Sequence, residues 1–149
     1  MYFYDITSLK HRLANGPLPE RESLPYLVVF VTLYAVVMYL PFLPENAWDY
    51  FEVAFSLLVS IVGTIYLYRA NGGEKGRDFI YRYIVLGWVV AVRFLSLFVP
   101  IAIVFYGAGY YFGAASEQTN WFDVLVIVIF EIAFYLNFAR HLREISLKA

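Results

Sequence analysis

Two ionisable residues, Arg93 and Glu131, stand in the middle of long apolar runs. At a helical rise of about 1.5 Å per residue, Arg93 lies roughly 15 Å beyond Tyr83 and Glu131 roughly 15 Å beyond Trp121. In a hydrocarbon core about 30 Å thick, both residues lie near the midplane. A charge at that depth costs at least about 2.5–3.5 kcal/mol, so each needs a partner or a water-filled cavity. A direct ion pair between Arg93 and Glu131 is the geometrically reasonable expectation.

A polar stripe along the second apolar run adds to these two charges. Its members recur three or four residues apart, with Gly63 alongside: Asp49, Glu52, Ser56, Ser60 and Thr64. Residues at this spacing share one face of a helix. Because such a stripe is costly in contact with lipid, we expect it to face the interior of a helix bundle, toward Arg93. Its small side chains also allow close helix packing.

Two interpretations of these residues stay open. In the structural one, they are buried contacts that fix the order of the helices. In the functional one, they line a proton or ion path, or a polar ligand pocket, that opens to the outside through Glu52 and Asp49. The predicted intramembrane polar network is the same in both cases: Arg93, Glu131, Glu52, Ser56, Ser60 and Asp49.

Enzyme chemistry is the less favoured class. The chain has no cysteine, and its two histidines, His11 and His141, lie beside arginines at an expected membrane edge. The patterns His-Glu-x-x-His and Gly-x-Ser-x-Gly do not occur. Glu52 and Glu131 are the carboxylates that could in principle do acid–base work. We expect no catalytic residue, no metal site and no cofactor.

The helices that position these residues follow from the composition. Of 149 residues, 62% are hydrophobic and 15% are charged, and the mean hydropathy is +0.64. A soluble domain averages roughly 45–50% apolar and about 25% charged residues. This difference excludes an ordinary cytoplasmic enzyme, a disordered protein and a basic nucleic-acid binder. Four continuous apolar runs reach about the length of a transmembrane helix, over 24–40, 48–68, 83–106 and 121–138.

These runs predict an all-α polytopic membrane protein, an antiparallel bundle of four transmembrane helices with an N-terminal interfacial amphipathic helix. Strands are disfavoured because the runs do not alternate between apolar and polar residues. The expected organisation is a cytoplasmic N-terminal segment over 1–23, a transmembrane domain over 24–138 and a basic cytoplasmic tail over 139–149. No soluble segment is long enough to form a separate domain.

The basic residues predict the orientation. Ten of the eleven Lys and Arg residues, all except Arg93, lie before the first run, around the connection between the second and third, or after the fourth. The other two connections, 42–47 and 107–120, contain no basic residue and carry Glu45 and Glu117. By the positive-inside rule, both termini are expected to be cytoplasmic.

Aromatic residues cluster at the ends of the runs. Trp48 and Trp121 begin the second and fourth runs, and tyrosines crowd the stretches 66–83 and 106–111. This distribution is typical of the aromatic belts at membrane interfaces. A tyrosine platform for a substrate is the alternative.

The segment 2–13 has one apolar face, formed by Tyr2, Ile6, Leu9 and Leu13. This spacing predicts a short helix, with Asp5 or Thr7 at its start. We expect the helix to lie in the interface on anionic lipid. A frayed tail is the alternative.

The connection between the second and third runs is glycine-rich and basic. Backbone amides and basic side chains can hold anions. The candidates for an anion or lipid headgroup contact are Arg69, Lys75, Arg77 and Arg82. The glycine spacing differs from that of a nucleotide-binding loop, and a tight hairpin between two helices is the simpler interpretation.

One stretch of the chain resembles small uncharacterised four-helix inner-membrane proteins of bacteria. The resemblance extends from the entry at 19–22 through the third run, and the residues that carry it are 66–73, 76–79, 81–83, Gly87, Trp88 and Arg93. It implies a bacterial cytoplasmic membrane. It carries over no activity and no functional residue.

The expected function is that of a non-enzymatic accessory or self-associating membrane subunit. The alternative is a small channel or proton-coupled transporter that uses Glu131 and Arg93. The expected partners are the lipid bilayer and either further copies of the chain or a larger membrane complex, with no nucleic acid. Whether the polar stripe faces a hydrated cavity or a dry helix contact distinguishes the two functions.

Overall fold

The computed structural model describes residues 4–38 and 44–147, without the side chains of residues 20, 31 and 33–38. Over this part the chain is helical and has no strand, which confirms the all-α class. A single 3₁₀ turn, Gly73–Lys75, interrupts the connection between the third and fourth helices. The α-helices are α1 (Ile6–Ala14), α2 (Glu20–Met38), α3 (Ala47–Ala70), α4 (Phe79–Tyr111) and α5 (Trp121–Ser146).

Helices α3, α4 and α5 are long and apolar enough to cross a membrane, with mean hydropathies of 1.8, 2.3 and 2.0 in their most apolar stretches. Few residues of these stretches are buried inside the protein, as expected of helices that face lipid. The chain is therefore a membrane protein. The predicted first span, 24–40, runs beyond Met38, where the described part of α2 ends. The four-span bundle thus stays a prediction.

Paired side chains begin both α3 and α5. The Asn46 side chain accepts a hydrogen bond from the amide of Asp49, and the Asp49 carboxylate accepts one from the amide of Asn46. Asn120 and Asp123 form the same capping box at α5. Each box satisfies amides that the helix itself leaves unpaired. Asn46 Nδ2 also donates to the carbonyl of Thr119 at 3.0 Å, so the two helix starts are joined.

Helix α5 lies at the centre of the packing. In the described part of the chain it packs against α1, α3 and α4, while α2 packs against α4. This gives the neighbour order α2–α4–α5–α3, with α1 set against α4 and α5. The buried core lies toward the end of the molecule where α1, the start of α4 and the end of α5 meet.

Aromatic contacts give the relative direction of α4 and α5. Tyr83 meets Phe138 near one end, with ring centroids 5.5 Å apart. Tyr106 meets Phe122 near the other end, at 5.7 Å. Early residues of α4 thus meet late residues of α5, so these two helices run in opposite directions.

Helix α1 is present as predicted, and the described part of its apolar face is covered by protein; the predicted face residue Tyr2 lies outside the described residues. Ile6, Leu9 and Leu13 are all buried in the core cluster with residues of α4 and α5. Lys10 of α1 forms an ion pair with Glu144 of α5. The expectation that this face rests on lipid is corrected: the groove between α4 and α5 is apolar enough to take it.

The end of α5 also differs from the expected tail. The helix continues to Ser146, well past the predicted end of the fourth span. Ala139, Leu142 and Ile145 are buried along this extension. The segment expected as a basic tail therefore contributes to the core over its helical part, because its apolar residues recur at helical spacing between the basic ones.

Candidate functional site

Glu131 lies at the contact between α5 and α3. Ser56 Oγ of α3 donates a hydrogen bond to Glu131 Oε1 at 2.5 Å. The other carboxyl oxygen, Oε2, is buried and has no hydrogen-bond partner among the described residues. A buried acceptor without a partner is costly. The Glu131 carboxyl therefore depends on the Ser56 hydroxyl for its hydrogen bond in the described part of the chain.

Arg93 faces a different part of the molecule. Its guanidinium lies over the ring of Tyr4, with Cζ 5.5 Å from the ring centroid. Within residues 4–38 and 44–147, no ion pair includes Arg93, so the expected pair with Glu131 is not formed. Glu131 is on the side of α5 that meets α3, whereas Arg93 is on the side of α4 that meets α1. Sequence spacing predicted a depth for both residues, but it could not predict the side of the helix on which each residue lies.

The polar stripe packs closely against α5. A Cβ added to Gly63 would lie 2.5 Å from the Tyr135 ring, so only glycine allows this approach. The Tyr135 hydroxyl faces the hydroxyls of Ser60 and Thr64. The stripe thus faces another helix as expected, but that helix is α5 and the direction is away from Arg93.

Carboxylates gather near the starts of α3 and α5. Asp49 is 7% exposed and serves in the capping box of α3. Glu52, half-buried one turn further along, experiences the negative charges of Asp49, Asp123 and Glu131. The sequence placed Asp49 and Glu52 on one stripe. It missed that Asp49 caps a helix, although Asn46 three residues before it is the signal for such a box.

Arg82 belongs to a buried polar hub and not to an anion site. It is 4% exposed, and Nη1 donates to Oδ1 of the fully buried Asn71 at 3.1 Å. Its Nη2 is 3.5 Å from the carbonyl of Leu13 in α1. Asn71 Nδ2 donates to the carbonyl of Arg77, and Ser146 Oγ donates to the carbonyl of Asn71. The hub joins α1, α4, α5 and the loop after α3.

The glycine-rich connection forms a tight hairpin around Asn71. A Cβ added to Gly76 would collide with the Asn71 carbonyl. Gly72 adopts a φ of +104°, a backbone conformation that favours glycine. Arg69, Lys75 and Arg77 are exposed at this connection. An anion or headgroup contact by these three residues stays a prediction.

A cavity of about 540 Å³ lies between α1, α4 and α5, and Arg93 lines it. Its other polar lining residues are Tyr4, Ser96, Asn137 and His141, and its apolar ones are Ile6, Val90, Phe94 and Leu97. The hydroxyls of Tyr4 and Ser96 share a hydrogen bond at 3.2 Å. The helical spacing of the lining residues within α4 and within α5 was the signal available in the sequence. That spacing could not show that these faces of α4 and α5 meet at one cavity.

No metal site stands out in the described part of the chain, where no group of three or more histidine and carboxylate side chains is placed to hold an ion. No protein-family model matches the sequence, and comparison with curated proteins and with solved structures finds no match. The resemblance to bacterial four-helix membrane proteins therefore stays a prediction.

Proposed function

We propose that this chain is a non-enzymatic accessory or self-associating subunit of the bacterial cytoplasmic membrane. The hydrogen bond between Ser56 and Glu131 carries the proposal. In a transport path these side chains would face water, whereas here they face each other across the contact of α3 with α5. The polar stripe joins two helices, which is a structural use of its residues.

Part of the proposal is an orientation with four antiparallel transmembrane helices and both termini cytoplasmic. Two exposed tryptophans, Trp48 and Trp121, lie in the first turns of α3 and α5. They support a membrane–water interface at that end of the molecule. Exposed basic residues lie at and just beyond the opposite end of α3: Arg69, Lys75 and Arg77. They support a cytoplasmic position for that end of the helix.

Helix α3 offers the surface for association. Among the α-helices it packs against α5 in the described part of the chain. Another face carries Phe51, Leu58 and Ile65, which are 53%, 59% and 49% exposed. Their spacing of seven residues puts them on one side of the helix. This face is open to lipid or to another membrane protein.

Cross-linking in the native membrane tests association. The sequence has no cysteine, so Leu58→Cys introduces a single thiol on the exposed face of α3. We expect this variant to form a covalent dimer, or an adduct with one membrane protein, on oxidation. The matched control is Ile80→Cys at the start of α4, where the side chain is also exposed. If the Leu58→Cys variant forms no cross-link on oxidation, the proposal is contradicted.

A small channel or proton-coupled transporter is the second candidate, and Glu131 Oε2 favours it. This oxygen is buried among the described residues without a partner. The charge of Glu131 and those of the two capping aspartates all act on Glu52, which lies nearer the start of α3. Proton flux in liposomes containing the full chain distinguishes the two functions. Flux that is lost in Glu131→Gln or Arg93→Gln, with normal assembly, would establish transport. Flux equal to that of empty liposomes supports the subunit.

A further inference from the structure

We propose that the cavity at Arg93 binds a single-chain carboxylic amphiphile, such as a fatty acid, which enters from the bilayer. The cavity holds a cationic side chain at one place and apolar side chains around it. Ligand pockets typically have volumes of about 300–1,000 Å³ and an apolar lining with a few polar groups that fix orientation. This cavity, at about 540 Å³, has both properties.

The charge of Arg93 requires an anion. Arg93 lines the cavity together with apolar side chains of α4 and with His141, which lies beyond the predicted end of the fourth span. A guanidinium among apolar side chains in a membrane protein is costly without a partner. Its contact within the described residues is the ring of Tyr4, which attracts the cation but does not neutralise it.

The other charges near the cavity are already engaged. Asp5 acts on Arg93 only through its charge at a distance: it forms no ion pair with Arg93 among the described residues, and it accepts a hydrogen bond from the amide of Ser8 at the start of α1. Glu144 is paired with Lys10, and Lys10 Nζ lies 3.4 Å from Nδ1 of the cavity residue His141. Arg93 is therefore the cation available to a ligand that enters this cavity.

The lining fits a carboxylate and one acyl chain. A guanidinium binds a carboxylate through two parallel hydrogen bonds. Asn137 and Ser96 line the same space and offer further polar groups. Val90, Phe94 and Leu97 give the apolar wall, and Leu97, which is 67% exposed, marks the side that opens toward lipid.

The size of the cavity selects a ligand with one acyl chain. A phospholipid has two acyl chains and a large polar headgroup, whereas a fatty acid has one chain and a compact carboxylate. The volume of about 540 Å³ therefore favours the single-chain acid over a phospholipid.

Native mass spectrometry of the full chain in a non-ionic detergent tests the proposal with palmitate as the probe. We expect one saturable palmitate per chain. In Arg93→Gln, affinity should fall by about tenfold or more, because a charge-assisted bidentate contact is lost. Arg93→Lys should bind with intermediate affinity, since it keeps the charge but not the planar fork.

Matched controls separate the cavity from general lipid adhesion. Arg140→Gln makes the same change at an exposed residue of α5 outside the cavity, and it should leave palmitate binding unchanged. Hexadecanol has the same chain without the charge and should bind far more weakly. Inorganic phosphate, a free anion without a chain, should not displace palmitate.

Each contrary result is decisive. The proposal is overturned if palmitate does not saturate, if hexadecanol binds equally well, or if phosphate displaces palmitate at the same concentration. Should Arg93→Gln fail to fold, Leu97→Trp fills the apolar part while Arg93 stays in place. Palmitate binding that is undiminished in Leu97→Trp would also overturn the proposal.

Discussion

The carboxyl of Glu131 depends on a single hydroxyl. Ser56 Oγ donates to one oxygen at 2.5 Å, while the other oxygen is buried without a partner. A polar group buried in this way contributes little net stability when it is paired and costs much more when it is not. At the scale of the residue, the serine therefore matters more to stability than its size suggests.

Ser56→Ala should lower the free energy of unfolding by about 1–3 kcal/mol, because both oxygens of Glu131 then lack a partner. Glu131→Gln keeps an acceptor for Ser56 and should cost less. Unfolding followed by the helical circular dichroism signal in one detergent measures all variants.

The double variant Ser56→Ala with Glu131→Leu provides the control. Replacing both partners by apolar groups removes the unpaired carboxyl and should restore most of the stability. A double variant as unstable as Ser56→Ala alone would show that the hydrogen bond is not the cause.

At the scale of the element, the contact of α3 with α5 is set by one small residue. Gly63 lies directly against the Tyr135 ring, and the hydroxyls of Ser60 and Thr64 face the hydroxyl of the same tyrosine. Small residues allow helix backbones to approach closely in a membrane, where van der Waals packing holds helices together. The stripe is thus a packing surface along α3.

Gly63→Ala should destabilise the protein by about 1–3 kcal/mol, because the added Cβ would overlap the Tyr135 ring and separate α3 from α5. The matched control is Gly107→Ala on α4, where nothing lies within 4 Å of the added atom. Thermal unfolding of both variants in the same lipid nanodiscs gives the comparison. Equal stability of the two variants would contradict the packing role of Gly63.

Helix α1 is a second case of an element fixed by tertiary contacts. It is 9 residues long, and an isolated helix shorter than about 12–15 residues is marginal in water. Its stability therefore comes from the groove that buries Ile6, Leu9 and Leu13. Docking also brings Tyr4 over Arg93.

Leu9→Ala should weaken the docking of α1 by about 2–5 kcal/mol, as expected for a fully buried leucine. Hydrogen exchange of the α1 amides should then become faster, while exchange in α3 stays unchanged. Leu147→Ala, at a side chain that is 87% exposed, makes the same truncation without a buried contact. Protection of α1 that is unaltered in Leu9→Ala would refute the dependence on docking.

At the scale of the molecule, the sequence predicted the positions of the helices better than it predicted which segments pack together. Continuous apolar runs located α3, α4 and α5, because lipid requires about 20 apolar residues for each crossing. Helix ends were missed where helices continue outside the apolar core, as α5 does to Ser146. The partners of Arg93 and Arg82 were missed because they are Tyr4, just before α1, and Asn71. Spacing within a run contains no information about distant segments.

Two single-cysteine variants test the proposed orientation of the whole chain. Lys75→Cys and Glu117→Cys place one thiol in each of two exposed connections, and the natural chain has no cysteine that would react. In intact bacteria, a membrane-impermeant maleimide should label Glu117→Cys, while Lys75→Cys should react only after permeabilisation. The positive-inside rule predicts this labelling pattern. The reverse pattern would show that the chain has the opposite topology.

The central position of α5 has a consequence for biogenesis. It is synthesised after α1, α3 and α4, and these three helices all pack against it. Before α5 leaves the ribosome, α3 lacks its main helical neighbour and the α1 groove has only one wall. The membrane insertion machinery therefore receives α1, α3 and α4 before the helix that they share as a neighbour has been made. A chain interrupted within 107–120 would expose the stripe on α3 and part of the apolar face of α1 together, which makes it a substrate for membrane proteases.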